Sequence, residues 1–477
     1  MQGGAKKVDA AHANGEGQGQ FDIKKNLTRK DFLKAGGGTL AGLYALGTVG
    51  YSARGSGGGS QDEAPDRLAF EGRTLRMALK EGYELDAIKT FKGDFEEATG
   101  TQVSIEVYDE PTTRQKFILD AASEIGNYDV TSVSFWHFPE YQRAGYLEPL
   151  GPYIENARDP WLNPDAIPER ATEILSVEGE LYALPHTLIG GMLFYRKDLF
   201  EEHGIDTPQT TDDILSAAQQ LKEAGLSVES PFTGRGAPTF ASLGTWIGWN
   251  WGYGASLLGE GNCPQATDVT FTEGTSDLMT LMRDYGPQDA AALTFTQAGD
   301  KFASGNAAMM FDTTGFGIVF GNPELSKAAG NVGYTLPTGP AGNYLQWPYI
   351  EGLGISKYSH NKELAWLFLQ WRMSEETTSK EVEELGRLDV PNLDVIGSDM
   401  YTEQAEQKGL TDYAEMLPQA WDNITLEHWP FVREFARIAD TYMQQISSAI
   451  AGQQTTEEAL ERVQDKLEVV AKDAGYC

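Results

Sequence analysis

Apolar and polar residues alternate at Leu75, Met77 and Leu79, and again at Val103, Ile105 and Val107, the period of strands with one face in a core. Between them Ile88, Phe91, Phe95 and Ala98 recur at helical spacing, and Gly100 stops that helix. A helix is predicted over 114–125 and an apolar strand over 130–135. Strand, helix, strand, helix, strand implies a parallel sheet with right-handed crossovers. Ligands of such sheets sit beyond the carboxyl ends of the strands. Those ends read Lys80-Glu81-Gly82-Tyr83, Tyr108-Asp109-Glu110 and Trp136-His137.

A second unit begins after Leu184-Pro185. Met192 to Tyr195 reads as a strand, and Thr210 and Thr211 can cap a helix over 212–224 that Gly225 ends. The runs 307–312 and 352–356 are strand-like. Leu364, Leu367, Phe368 and Trp371 mark an amphipathic helix, and 457–472 reads as a polar-faced terminal helix. No tandem repeat appears.

At 477 residues with 40% apolar content, the chain has enough material for two sizeable domains. Its net charge is −33, and because the first sixty residues hold eight Lys+Arg and four Asp+Glu, the remainder carries −37. Such a surface repels nucleic acid and anionic membranes. It reads as a solubility or salt adaptation, with attraction of a cationic ligand as the alternative. Cys263 and Cys477 are the two cysteines, and the second is the last residue, where chains fray, which argues against a structural disulfide. No Cys/His spacing suits zinc.

Thr28-Arg29-Lys30-Asp31-Phe32-Leu33-Lys34 precedes the weakly apolar run 35–49, the order of an export signal. The heptad resembles the twin-arginine motif with Lys30 in place of the second arginine. The run is too short and glycine-rich for a comfortable membrane span. No cysteine stands directly after it, which excludes a lipid anchor of the lipobox type there. Residues 55–60 would make a flexible linker. Residues 1–60 are therefore taken as signal and linker.

Several runs carry a family resemblance: F-E-E-A-T-G (95–100), the stretch 128–150, G-E-L-Y-A-L-P-H-T (179–187), Y-R-K-D-L-F (195–200), S-G-N-A-A-M-M-F-D (304–312) and G-L-G-I-S-K-Y-S-H-N-K-E-L-A (352–365). In this order and spacing the chain resembles the family 1 extracellular solute-binding proteins of ABC importers, in the carbohydrate-type branch. The resemblance implies a type II periplasmic-binding-protein-like fold: two α/β lobes, a hinge and one interlobe cleft. Matching the runs would give 73–185 plus 313–351 to lobe one and 190–312 plus 354–477 to lobe two. It also implies a membrane permease as partner, a monomeric binding protein, and no cofactor or metal.

The densest local signal is W-I-G-W-N-W-G-Y-G, with Trp246, Trp249, Trp251 and Tyr253 around Asn250. A sugar offers flat C–H faces to aromatic rings and a rim of hydroxyls to amides and carboxylates. Trp249, Asn250 and Trp251 are therefore candidate ligand contacts, with core packing as the alternative. Trp136 follows a strand end and matches the family's cleft aromatic, so it should face Trp249 and Trp251 across the cleft. Trp347 lies in Q-W-P-Y-I-E-G, where many family members carry G-G-W-G. Glu81, Asp109, Asp312 and Glu351 are carboxylates at strand ends, where caps and solvated charges are the alternative. Tyr83 and His186 complete the set, with His137 as a further candidate near the hinge.

No G-x-S-x-G, H-E-x-x-H or P-loop is present. The sequence thus points to capture of a mono- or oligosaccharide by hinge closure, without chemistry. A polyamine or other cation remains open, since aromatics and carboxylates suit it too. So does a secreted glycosidase, which needs two carboxylates across a cleft.

Overall fold

The computed structural model describes residues 67–477 apart from 83–84, 156–160 and 227. The leader and Tyr83 lie outside the described residues. Strands Thr74–Lys80 (β1), Gln102–Tyr108 (β2) and Val130–Ser134 (β3) are joined through helices Asp86–Thr99 and Glu110–Ala122. β1 pairs in parallel with both β2 and β3, as the strand–helix–strand order predicts. Burial explains the alternation: Leu75, Met77 and Leu79 are fully buried, and Phe91 and Phe95 of the first helix pack into the same core.

Four further strands complete this sheet or lead away from it: the ribbon Ser176–Val177 (β4) with Glu180–Leu181 (β5), then Ala183–Ile189 (β6) and Gly191–Arg196 (β7). Next come Ser230–Thr233 (β8), Ala307–Thr313 (β9), Val332–Thr335 (β10) and Tyr349–Ile355 (β11). The first sheet has the order β2-β1-β3-β11-β6, and the second β10-β7-β9-β8. β11 runs antiparallel to β3 and β6, so the first sheet is mixed rather than wholly parallel.

Only Gly190 separates β6 from β7, although the two strands belong to different sheets. The chain returns through 336–348, between β10 and β11. The two crossings lie side by side because the buried Gln346 carboxamide pairs with the Gly191 peptide both ways. Gly191 N–H donates to Oε1 and Nε2 donates to Gly191 C=O, each at 2.8 Å. A Cβ on Gly190 would stand 2.3 Å from Gln346 Oε1, so this contact requires glycine.

The pairings differ from the lobe limits expected from the sequence. β10 pairs with β7, which puts 332–335 on the second sheet rather than with lobe one. Helices Lys362–Arg372 and Glu375–Leu385 pack on the Asp86–Thr99 helix, and the first of them also on β11, on the first-sheet side. The helices Phe435–Ile450 and Thr456–Ala474 pack on Val269–Asp284, beside the second sheet. That last packing also corrects the cysteine expectation. Cys477 follows a docked helix and forms a disulfide with Cys263, with Cα atoms 5.3 Å apart.

Candidate ligand-binding cleft

A cavity of about 230 Å³ opens where the two sheets and the crossings meet. The first sheet contributes Glu110, beyond β2, and Phe135 and Trp136, beyond β3. This is the carboxyl-end location that the parallel strand order predicts. The second-sheet side contributes Arg235, Phe240, Phe295 and Thr313. The crossings contribute Ile189, Trp347, Pro348 and Tyr349, and a segment before the penultimate helix contributes Trp429.

Trp136 is central to the aromatic wall. Its ring meets Tyr349 at 5.3 Å and, across the cavity, Phe240 at 5.2 Å, both edge to face. Its indole N–H donates to Glu110 Oε1 at 2.5 Å. His137 Nε2 lies 3.5 Å from the same oxygen. Burial, with Arg114 and Lys80 adding to it, pushes the His137 pKa down to about 3, so this imidazole is neutral at neutral pH.

Trp347 reaches the cavity because of the Leu243–Gly252 helix. A Cβ on Gly244 would lie 2.7 Å from Trp347 Cδ1, and one on Gly248 2.6 Å from its Cε3. Spaced four apart, these glycines sit on one helical face and form a slot for the indole. The glycines of the W-I-G-W-N-W-G-Y-G run are therefore what serve the cleft, by seating a tryptophan from elsewhere in the chain.

The tryptophans of that run do not line the cavity. Trp249 is fully buried, edge to face with Phe311 at 5.7 Å. Asn250 is fully buried and donates to Trp246 C=O at 2.9 Å and to Thr275 Oγ1 at 3.1 Å. Trp251 is half-buried and stacks on His428 with centroids 5.0 Å apart. A ten-residue helix packed on a sheet must turn most of its rings inward, so core packing wins here.

The predicted carboxylates also sit behind or away from the wall. Asp312, wholly buried, grips Arg235 with both oxygens, and the Nε–Oδ2 distance is 2.8 Å. Arg235 Nη1 donates to Ala241 C=O, and the guanidinium lies 4.5 Å from the Phe295 ring centre. Asp312 thus fixes a lining cation through a bidentate fork. Glu351 pairs with Lys80 and accepts from Ser134 Oγ at 2.6 and 2.9 Å, while Lys80 Nζ donates to Tyr349 Oη at 2.7 Å. Two buried carboxylates hold two cations, and each cation supports or forms part of the wall. Asp109 caps a helix, accepting from Thr112 N–H at 2.8 Å, and Glu81 is exposed. His186 is buried away from the cavity lining and held well below its usual pKa by burial and by Arg372.

Of the sequence candidates, Trp136 and Trp347 line the cavity. Sequence reasoning missed Glu110, Arg235, Phe240, Phe295, Tyr349 and Trp429. Glu110 stood in a quoted strand end next to the chosen Asp109, and Tyr349 two residues beyond Trp347. A lone arginine in G-R-G (234–236) just beyond β8, and H-W-P-F (428–431) between two helices, were legible signals that were passed over.

Two sheets linked by paired crossings around one aromatic-walled cavity define a two-lobed solute-binding fold. Residues 79–378 match the model of the bacterial extracellular solute-binding proteins, and the chain belongs to that family. It is 24% identical over 434 residues to the mannitol-binding protein of Pseudomonas aeruginosa, covering 86% of this chain and 95% of that one. It is 25% identical over 405 residues to the erythritol/L-threitol-binding protein of Mycolicibacterium smegmatis, covering 77% and 81%. The solute-binding protein of an Agrobacterium vitis ABC transporter, solved with bound D-mannitol, superposes with a TM-score of 0.74 at 26% identity. That alignment covers 85% of this chain and all of the other. Among the described residues no helix is long and apolar enough to cross a membrane.

Proposed function

We propose that this chain captures a small polyol or monosaccharide outside the cell and delivers it, by hinge closure, to the permease of an ABC importer. The observation that carries this reading is the cavity itself: aromatic faces from Trp136, Trp347, Tyr349 and Trp429 opposite a forked Arg235. Rings cover the C–H faces of a sugar alcohol, and the two guanidinium N–H groups not used on Asp312 and Ala241 remain to bond hydroxyls. At about 230 Å³ the cavity is smaller than the roughly 300–1,000 Å³ of drug-sized sites, which favours a single sugar unit over an oligosaccharide. The mannitol- and erythritol/L-threitol-binding relatives support an acyclic polyol.

Among the described residues Glu110 is the one carboxylate that lines the cavity, and it already accepts from Trp136. A glycosidase needs two, so binding without turnover is the reading supported. The same partnering weakens the polyamine reading. The strand pairings lead us to draw lobe one as 67–189 with 349–385, and lobe two as 191–335 with 435–477. We further propose export through the 28–49 signal and action as a monomer.

Calorimetric titration with D-mannitol, ribitol, erythritol, maltose and putrescine tests the ligand class. A polyol is expected to bind near micromolar, about −8 kcal/mol, and to be recovered unchanged after days of incubation. Tight putrescine binding with no heat from polyols would overturn the reading, as would steady release of shorter sugars from maltose.

A further inference from the structure

The segment 424–434 joins the Thr411–Asp422 and Phe435–Ile450 helices without regular structure of its own. Successive tight turns shape it: Trp429 N–H donates to Leu426 C=O at 3.0 Å, Phe431 N–H to Trp429 C=O at 2.9 Å and Val432 N–H to Pro430 C=O at 2.9 Å. Its rings reach both sides of the cleft. Trp429 packs on Phe435 at 5.3 Å and on Phe135, beyond β3, at 5.0 Å, and it lines the cavity.

His428 precedes it and is 2% exposed. Burial drives its pKa down to about 3, against a weaker opposing pull from the Gln346 carbonyl beside it, so the ring is neutral. A buried, neutral imidazole contributes its flat face. That face lies 16° from parallel on Trp251. Trp251 in turn sits at the end of a helix whose Trp251 C=O is pinned by Asn343 Nδ2 at 3.0 Å, so the plate it offers is fixed to lobe two.

We propose that His428 is a positioning residue for ligand capture: stacked on Trp251, it sets the 424–434 segment so that Trp429 stands in the cleft wall. The proposal rests on the polyol reading for its ligand, but not for its geometry. Trp251, which does not line the cavity, then affects binding through His428 and Trp429.

The test uses His428→Ala, His428→Phe and Trp251→Ala in the full chain. Trp251 is half-buried, so its replacement leaves a folded protein to measure even if His428→Ala does not. In the ligand-free protein, amide hydrogen exchange across 424–434 should speed up in both alanine variants and return to the wild-type rate in His428→Phe. D-mannitol affinity should fall about three- to tenfold in each alanine variant, the scale of one aromatic pair, and recover to within about twofold in His428→Phe. The double alanine variant should bind no worse than either single one. Unchanged exchange, unchanged affinity in the alanine variants, or a phenylalanine variant no better than alanine would each overturn the proposal. If the wild type binds no polyol, the ligand reading fails, and the exchange measurement still decides the positioning role.

Discussion

The Leu243–Gly252 helix and the segments 345–349 and 424–434 all carry tryptophan, yet they do opposite work. On the helix, Trp246 and Trp249 vanish into the core, and the residues that matter to the cleft are the glycines between them. On the other two segments, Trp347, Tyr349 and Trp429 form the cavity wall. Aromatic density is thus a poor guide to a ligand site, because a helix packed on a sheet presents most of its surface to the core. A segment that passes between lobes has little core of its own, so its rings pack at the boundary where the cavity lies.

The sharpest way to break this contrast is to delete one ring from each region. Trp249→Ala should cost about 3–5 kcal/mol of stability, the range for a core aromatic, while ligand affinity measured below the lowered melting temperature stays near wild type. Thermal melts and calorimetry on one preparation check both halves, and a large loss of affinity at intact stability would invert the comparison. Comparable in size is Arg235→Ala, which strands Asp312 as an unpaired buried charge and should cost about 3–5 kcal/mol in stability. Here binding should fail too, since Arg235 lines the wall. A variant that unfolds earlier but binds normally would remove Arg235 from the site.

Smaller is the effect of Trp136→Ala or Trp347→Ala: about 2 kcal/mol of binding, near thirtyfold in affinity, with most of the melting temperature kept. Ligand-induced change in tryptophan fluorescence should shrink in each. Normal binding in both would dissolve the aromatic wall as a ligand surface.

Stability should also depend on pH. His186 and His428 are held neutral by burial, His428 with a pKa of about 3, whereas the unfolded chain takes up a proton on each below about pH 6.5. Below that pH the unfolded state binds more protons, so stability falls as pH falls, by about 1.4 kcal/mol per unit for each histidine at most. Well above pH 6.5 neither contributes a slope. Denaturant unfolding at pH 7.5, 6.5 and 5.5 measures this. A flat profile down to pH 5.5 would mean the two rings are solvated.

How far the site was legible follows from the kind of signal each residue left. Trp136 was readable because a strand end has one location in a parallel sheet, and Trp347 because the resembled family carries a tryptophan there, although its neighbours, with Pro348, depart from the family pattern. Asp312 and Glu351 were read as candidate ligand contacts, but charge type does not say whether a partner cation stands between the group and the cavity. Arg235 and Lys80 do. Asp109 and Glu110 are adjacent, and cap geometry turns one toward its own helix and leaves the other to Trp136. Cys477 looked free because chain ends fray, and only the docking of the Thr456–Ala474 helix brings it to Cys263.

By itself, the sequence determined what depends on neighbours along the chain: many of the strands and helices, the cap at Thr210, the parallel start of the first sheet and the family of the protein. Periodicity and cap chemistry act over a few residues, so they survive without coordinates. The tertiary structure alone decided which rings face the cleft, which charges are spent on one another, and which lobe each late segment joins. Those choices depend on contacts between residues tens to hundreds of positions apart. There a glycine slot on one helix can settle the aim of a tryptophan nearly a hundred residues away.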